Sequence, residues 1–192
     1  MILAFTGAGI SKDSGIDTFM DHPDVRDKLF REYANVNPQD YRETIQALKR
    51  VIDNANPNDA HFALAEYDVE IITMNIDGLH EMAGSKKVLN LHGTLPSEQE
   101  LPYCDRLYEK PVLYGDSAPN YEKAIYKVSQ LSIGDTFLVI GASNHTAIAY
   151  QLKQLALMQD AQVIEIQADA KMRVRQTLQL LEKGIDNTTS NL

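Results

Sequence analysis

The chain has 192 residues, of which 44% are hydrophobic and 23% charged, so one compact domain is expected and wholesale disorder is excluded. Its 18 Lys and Arg against 27 Asp and Glu give a net charge of −9, and this acidity, without a dense basic stretch, argues against nucleic-acid binding. No signal peptide and no apolar run of membrane-spanning length are recognised, so no membrane partner is expected. The single cysteine, Cys104, excludes an internal disulfide and favours a reducing, cytoplasmic location.

Apolar runs bounded by turn residues predict strands that alternate with helices along the chain. The predicted strands cover residues 2–5, 69–73, 88–91, 112–114, 136–140 and 162–166. Two or three short helices are predicted within 21–54, and further helices start at 57–59 and span 119–132, 147–158 and 171–183. Several strands are unbroken apolar runs, which favours an α/β fold with a parallel sheet covered by helices on both faces. Ligands of such sheets bind beyond the carboxyl ends of the strands.

A glycine-rich segment, Gly7 to Ile16, directly follows the first predicted strand. Gly7 and Gly9 permit a tight turn and a close approach of the backbone to a diphosphate, and the helix expected after them offers free N–H groups to an anion. Lys12 stands where the dinucleotide-binding fingerprint has its third glycine. Taken alone, the segment fits a phosphate cradle and an ordinary turn between strand and helix equally well.

Three more groups of polar or glycine residues follow predicted strands. Asn75 and Asp77 can hydrogen-bond an amide, a ribose or a water, although both residue types also favour turns and helix caps. His92 can act as a general base near neutral pH, although a lone histidine is more often structural. The segment from Gly141 to Asn144 offers a second phosphate or ribose cradle after the most apolar strand.

In this order and together, these groups resemble the sirtuin family of NAD-dependent protein lysine deacylases. The family pattern Gly-Ala-Gly-x-Ser-x-x-Ser-Gly-Ile is met in full at 7–16, and Thr-Gln-Asn-Ile-Asp-x-Leu-His is met at 73–80 except at Met74. The patterns Leu-His-Gly and Pro-Asn-x-x-His are met at 91–93 and 57–61. The segments Tyr114-Gly115-Asp116 and Gly141-Ala142-Ser143 are similar to the family's Phe-Gly-Glu substrate loop and Gly-Thr-Ser. The resemblance covers roughly residues 2–170 of the chain.

The resemblance implies that NAD lies across the strand ends of a Rossmann-like domain and that an acyl-lysine protein or peptide is the partner substrate. In the family the acyl oxygen attacks the nicotinamide ribose, and the resemblance makes His92 the general base on the ribose hydroxyls, with Asn75 and Asp77 as further catalytic residues. Ile76 is expected in the nicotinamide pocket and Phe19 over the reactive sugar. The implied cofactor-binding set is Gly7, Ala8, Gly9, Ser11, Ser14, Phe19, Asn75, Ile76, Asp77, Gly141, Ser143 and Gln167.

The chain departs from the family pattern at several positions. In Asp17-Thr18-Phe19-Met20 the family's leading proline and final arginine are replaced, Met74 replaces a glutamine, and Gln167 replaces a ribose-binding asparagine. The family's zinc ribbon carries two Cys-x-x-Cys pairs, whereas residues 94–110 are the whole of the corresponding segment and contain only Cys104. A reduced small subdomain that lacks the zinc ribbon and binds no metal is therefore expected.

The predicted organisation is a single domain over residues 1–192. It divides into a Rossmann core of 1–20, 57–93 and 111–183 and reduced small-domain inserts of 21–56 and 94–110, the latter as a short loop, a hairpin or a tight helix. Because Arg42 follows Tyr41 directly, the Tyr-x-x-Arg pair of members that remove acidic acyl groups is not met. Two alternatives stay open: NAD hydrolysis or ADP-ribosyl transfer at the same site, and non-catalytic binding of NAD or ADP-ribose. Oligomeric state, acyl preference and protein target are not predicted.

Overall fold

The computed structural model describes residues 1–17, 23–142 and 146–184 and contains one five-stranded parallel sheet. The strands are β1 Ile2–Thr6, β2 Glu70–Thr73, β3 Val88–Asn90, β4 Thr136–Ile140 and β5 Gln162–Ile166, in the spatial order β3-β2-β1-β4-β5. The helices are α1 Pro23–Asp27, α2 Arg31–Val36, α3 Pro38–Asp53, α4 Asp59–Glu66, α5 Leu79–Met82, α6 Asn120–Ser129, α7 Ala147–Met158 and α8 Ala170–Glu182. Two 3₁₀ helices span Ala8–Ser14 and Leu101–Arg106.

Alternate residues of the central strands supply the cores on the two faces of the sheet. Phe5 and Phe137 point to one face, where they pack with residues of α6 and α7. Ala4 and Leu138, their neighbours in sequence, point to the other face, where they pack with residues of α4 and α8. Since both faces are covered, β1 and β4 are apolar along almost their whole length, as a parallel sheet requires. The predicted Rossmann-like parallel sheet is confirmed.

A third apolar cluster lies outside the sheet and joins the two insert segments. Tyr41 and Ile45 of α3 are fully buried against Leu101 and Cys104 of the second 3₁₀ helix. An ion pair of 2.6 Å between Arg42 and Asp105 adds to this contact. The segment after the third strand therefore contains a tight helix, one of the three forms that the sequence left open.

The fourth predicted strand, 112–114, was wrong. This segment forms one isolated bridge, in which the Tyr114 N–H donates to Leu29 O and the Arg31 N–H donates to Tyr114 O. Three apolar residues are too few to distinguish a strand from a buried loop. Here the segment pairs with residues of the insert 21–56, called the helical insert below, and not with the sheet.

The helix expected after β1 is a 3₁₀ helix, not an α-helix. None of the described helices is long and apolar enough to cross a membrane.

Candidate active site

The loops that follow β1 and β4 lie against each other at the carboxyl edge of the sheet. The Gly9 N–H donates to Gly141 O at 2.9 Å, and the Gly7 N–H donates to Ile140 O at 3.0 Å. A Cβ on Gly9 would lie 2.6 Å from the Gly141 Cα, and a Cβ on Gly7 would lie 2.8 Å from the Ala142 Cα. Glycine is therefore required at both positions for the two loops to meet.

Asn75 and Asp77 join the loop after β2 to the first 3₁₀ helix. The Asn75 side-chain amide donates to Gly7 O and to Ser11 Oγ, both at 3.2 Å. Ser11 Oγ donates to Asp77 Oδ2 at 2.7 Å, and the Leu79 N–H donates to Asp77 Oδ1 at 3.0 Å. Burial raises the pKa of Asp77, and these donors oppose that shift. Both carboxylate oxygens of Asp77 thus hold the glycine loop and the start of α5 in place.

His92 follows β3 and is fixed through both of its ring nitrogens. Nδ1 lies 3.0 Å from the Met74 carbonyl oxygen, and Nε2 lies 2.9 Å from the Tyr121 hydroxyl. A carbonyl oxygen only accepts, so Nδ1 carries the proton of the neutral ring and Nε2 carries the lone pair. Burial lowers the pKa of His92, which keeps the ring neutral at pH 7.

Nε2 of His92 lies beside a cavity of about 260 Å³ between the sheet edge and the 111–121 segment. Its lining includes Met74 and Ile76 from the loop after β2 and Tyr114 and Tyr121 from the 111–121 segment. The Asp116 carboxylate, two residues after Tyr114, accepts two hydrogen bonds from the Arg31 guanidinium, at 2.8 and 2.7 Å. The helical insert therefore anchors the wall of the cavity opposite the sheet.

The remaining predicted site residues are placed as follows. Ala8 begins the first 3₁₀ helix, and Ser14 ends it with its hydroxyl accepting from the Asn58 amide at 3.0 Å. Gln167 follows β5 and donates to Ala142 O at 3.0 Å. Phe19 and Ser143 lie outside the described residues, as does Met20, which replaces the family's arginine. The sheet edge thus brings together the glycine loops, Asn75, Asp77 and His92 in one region.

Two residues at this edge were not singled out from the sequence. Tyr121 contacts the His92 ring. The sequence feature that could have indicated its burial is its helical spacing with Ala124 and Val128, which places all three on the buried face of α6. Asn58 is buried, caps α4 through the Ala60 N–H, and donates to Ile10 O at 2.8 Å. The family's Pro-Asn-x-x-His pattern contained Asn58, but only the tertiary structure shows that it holds the glycine loop.

Histidines 61 and 80 form a buried pair behind the site. His61 Nδ1 accepts from the Asn58 N–H at 3.3 Å and so completes the capping box at the start of α4. His80 Nε2 lies 2.9 Å from Thr6 Oγ1, which in turn contacts Thr73 Oγ1 at 2.8 Å. The two ring centroids are 5.0 Å apart, and the buried atoms His61 Nε2 and His80 Nδ1 have no hydrogen-bond partner.

A larger cavity of about 450 Å³ is lined by residues of both inserts, 21–56 and 94–110, and not by residues that follow the strands. Its lining residues are Arg31, Asn35, Pro38, Arg42, Asp105, Arg106 and Tyr108. None of the residues predicted for the site belongs to this lining. Among the residues that the structure describes, no group of three or more His, Cys, Asp or Glu side chains could hold a metal ion.

Comparisons with known proteins agree on one family. The sequence pattern of the Sir2 family matches residues 7–111. An NAD-dependent protein deacetylase of Bacillus cereus is 34% identical over 74% of this chain and 70% of its own length. An NAD-dependent protein deacylase of Caldanaerobacter subterraneus is 32% identical over 86% of this chain and 81% of its own length.

Solved structures agree on the fold. A Sir2 homologue in complex with NAD superposes with a TM-score of 0.82 over 96% of this chain and 90% of that protein, at 24% identity. A Sir2 homologue in complex with ADP-ribose gives the same TM-score over 98% and 94% of the two chains. At this identity the likeness establishes the architecture, so the chemistry of this chain must be argued from its own residues.

Proposed function

The chain belongs to the Sir2 family, and from that premise we propose that it is an NAD-dependent protein lysine deacylase. The reaction transfers the acyl group of a lysine side chain to ADP-ribose and releases nicotinamide, so NAD is consumed as a cosubstrate. The partner is an acyl-lysine protein or peptide. The observation that carries the proposal is the neutral imidazole of His92, which lines a cavity at the sheet edge that also holds the glycine loops and Asn75.

The residues at the sheet edge fit a dinucleotide. The loops after β1 and β4 meet at Gly9 and Gly141 with no room for a Cβ, and in this proposal the backbone of the glycine-rich turn binds the diphosphate. Asn75 and Gln167 add side-chain amides beside these loops, of the type that bind hydroxyl groups of a ribose. NAD would supply an activated bond between nicotinamide and ribose.

His92 accepts a proton at Nε2 in this proposal. The Met74 carbonyl fixes the Nδ1–H tautomer, so the lone pair needs no rearrangement before reaction. Because burial keeps the pKa of His92 below its ordinary value, the ring is neutral and able to act as a base at pH 7. The positive charge that it gains is met by the Met74 carbonyl dipole at the opposite nitrogen.

Asn75 and Asp77 act by orientation. Their hydrogen bonds to Gly7 and Ser11 fix the position of the loop after β2 relative to the glycine loop. Ile76, which lies between them in the sequence, lines the cavity. A site that cleaves a bond to a sugar carbon must orient its reactants and exclude water. The apolar lining from Ile76, together with Leu113 of the opposite wall, supplies that exclusion.

The segment Tyr114-Gly115-Asp116 forms the substrate side of the cavity. Asp116 accepts two hydrogen bonds from the Arg31 guanidinium, which tie the segment to the helical insert, and it accepts the Leu113 N–H at 3.1 Å within the segment's own turn. The Arg31 guanidinium lowers the pKa of Asp116 against the opposing effect of burial, which keeps this anchor ionised. A cytoplasmic location is part of the proposal, supported by the single cysteine of the chain, Cys104, which is a buried free thiol.

The test is to incubate the wild type and a His92→Ala variant with saturating NAD, with and without an acetylated peptide, and to measure nicotinamide and acyl-ADP-ribose by mass spectrometry. We expect the wild type to form both products only with peptide. We expect His92→Ala to lose about 10²–10⁴-fold of its acyl-ADP-ribose formation. Thermal stabilisation by ADP-ribose should be retained in the variant.

Other results would favour the alternatives. Nicotinamide release by the wild type without peptide would replace the proposal with NAD hydrolysis. Absence of product with a panel of acylated peptides, together with stabilisation by ADP-ribose, would leave a non-catalytic binding protein. His92→Ala activity equal to the wild type would remove His92 as the base.

A further inference from the structure

Tyr121 is the only side chain among the described residues that is hydrogen-bonded to the reactive nitrogen of His92. Its hydroxyl oxygen lies 2.9 Å from Nε2, and the two ring centroids are 6.0 Å apart. Nε2 of a neutral imidazole has one lone pair, so it accepts one hydrogen bond. The Tyr121 O–H occupies that lone pair, and any other hydroxyl must either displace Tyr121 or act through it.

The packing of Tyr121 opposes displacement. Tyr121 lies in the first turn of α6, and its ring packs against the same core cluster as Ala124 and Val128 on the buried face of that helix. Moving its hydroxyl away from Nε2 would pull an aromatic ring out of this contact. Burial of an aromatic ring contributes strongly to stability, so the packed position of the Tyr121 ring is favoured.

Tyr121 lines the cavity in which the proposed reaction takes place. Tyr121 and His92 line the same cavity, together with Ile76. A phenol that donates to Nε2 keeps lone pairs with which it accepts from a second hydroxyl. Burial raises the pKa of Tyr121, so the phenol holds its proton at pH 7 and is available as a donor.

We propose that Tyr121 is a further catalytic residue that relays the proton from the substrate hydroxyl to His92. This rests on the proposed function, in which His92 is the base for a ribose hydroxyl. The substrate O–H bond breaks, its proton bonds to Tyr121 Oη, and the proton of Tyr121 passes to His92 Nε2. The substrate oxygen keeps the electron pair, Tyr121 stays neutral, and the imidazole becomes imidazolium.

The test compares Tyr121→Phe with Tyr126→Phe, a matched control with the same substitution on the exposed side of the same helix. Each is assayed for nicotinamide release and for acyl-ADP-ribose formation with NAD and an acetylated peptide. Nicotinamide leaves when the acyl oxygen attacks, before the base is needed. In a single turnover, with enzyme in excess over NAD, we therefore expect Tyr121→Phe to slow acyl-ADP-ribose formation by about 10²-fold or more, while the rate of nicotinamide release stays within about threefold of the wild type. The control should match the wild type in both.

Each other outcome overturns the relay. Product formation equal to the wild type would show that Tyr121 only packs. An increase of about 2- to 10-fold, the value of one hydrogen bond, would show that the substrate displaces Tyr121 as a cap. Parallel loss of both products, with weaker ADP-ribose binding or a lower melting temperature, would show a structural defect. A wild type that forms no acyl-ADP-ribose refutes the proposed function itself, and the relay with it.

Discussion

Acidification from pH 7 to pH 5 should destabilise the fold through the buried pair His61 and His80. Burial lowers the pKa of His61 from 6.5 to about 4. Burial, and then the charge of His61, lower the pKa of His80 from 6.5 to about 3. Each histidine therefore stays neutral in the folded protein at pH 5, while in the unfolded chain it takes up a proton below pH 6.5.

The sign and size follow from these values. A depressed folded-state pKa contributes stability that is present above pH 6.5 and is lost as the pH falls towards the folded-state pKa. One pKa unit corresponds to about 1.4 kcal/mol, so the free energy of unfolding should fall by about 2 kcal/mol per histidine between pH 7 and pH 5. Ordinary carboxyl groups titrate mostly below this range, so the two histidines account for about 4 kcal/mol of the loss.

Urea unfolding at pH 7 and pH 5 measures this loss, and a His61→Gln variant isolates one of its sources. Gln at the third helical position can accept the Asn58 N–H in a capping box, as His61 does, but it does not titrate. The variant's absolute stability is not the readout. We expect its loss of unfolding free energy between pH 7 and pH 5 to be smaller than that of the wild type by about 2 kcal/mol.

Equal losses in the wild type and in His61→Gln would refute the reasoning. They would mean that His61 takes up its proton in the folded state as readily as in the unfolded chain.

Two further predictions concern the anchor of the glycine loop and the missing metal. Asn58→Ala should lower the free energy of unfolding by about 2–4 kcal/mol, since it removes a helix cap and leaves the buried Ile10 carbonyl without its donor. Asn58→Ser keeps a capping oxygen, so its free energy of unfolding should fall by about half as much. A fall for Asn58→Ala that is smaller than the fall for the exposed control Asn54→Ala would contradict this. Elemental analysis of the purified protein should find no stoichiometric zinc; one tightly held zinc per chain would be the contrary result.

Much of the fold could be predicted from the sequence because the signals are local. The unbroken apolar run at 136–140 and the run at 162–166 each form a strand with those bounds, and 147–158 forms a helix as its spacing predicts. The strand predicted at 112–114 was wrong because a run of three residues is too short to show a periodicity. The candidate site was predictable where its residues follow strands, as Asn75 and His92 do, because parallel strands bring their carboxyl ends to one edge.

The sequence by itself determined the family, the α/β class and the residue types at the strand ends. The tertiary structure alone decided which of these residues touch. Asp77 proves to hold Ser11 and the Leu79 N–H, and Tyr121 proves to lie on the Nε2 atom of His92, 29 residues away. Local spacing predicts elements because it reflects the pitch of a helix or strand. Contacts between elements depend on how α6 and the sheet pack in three dimensions, which no period along the chain records.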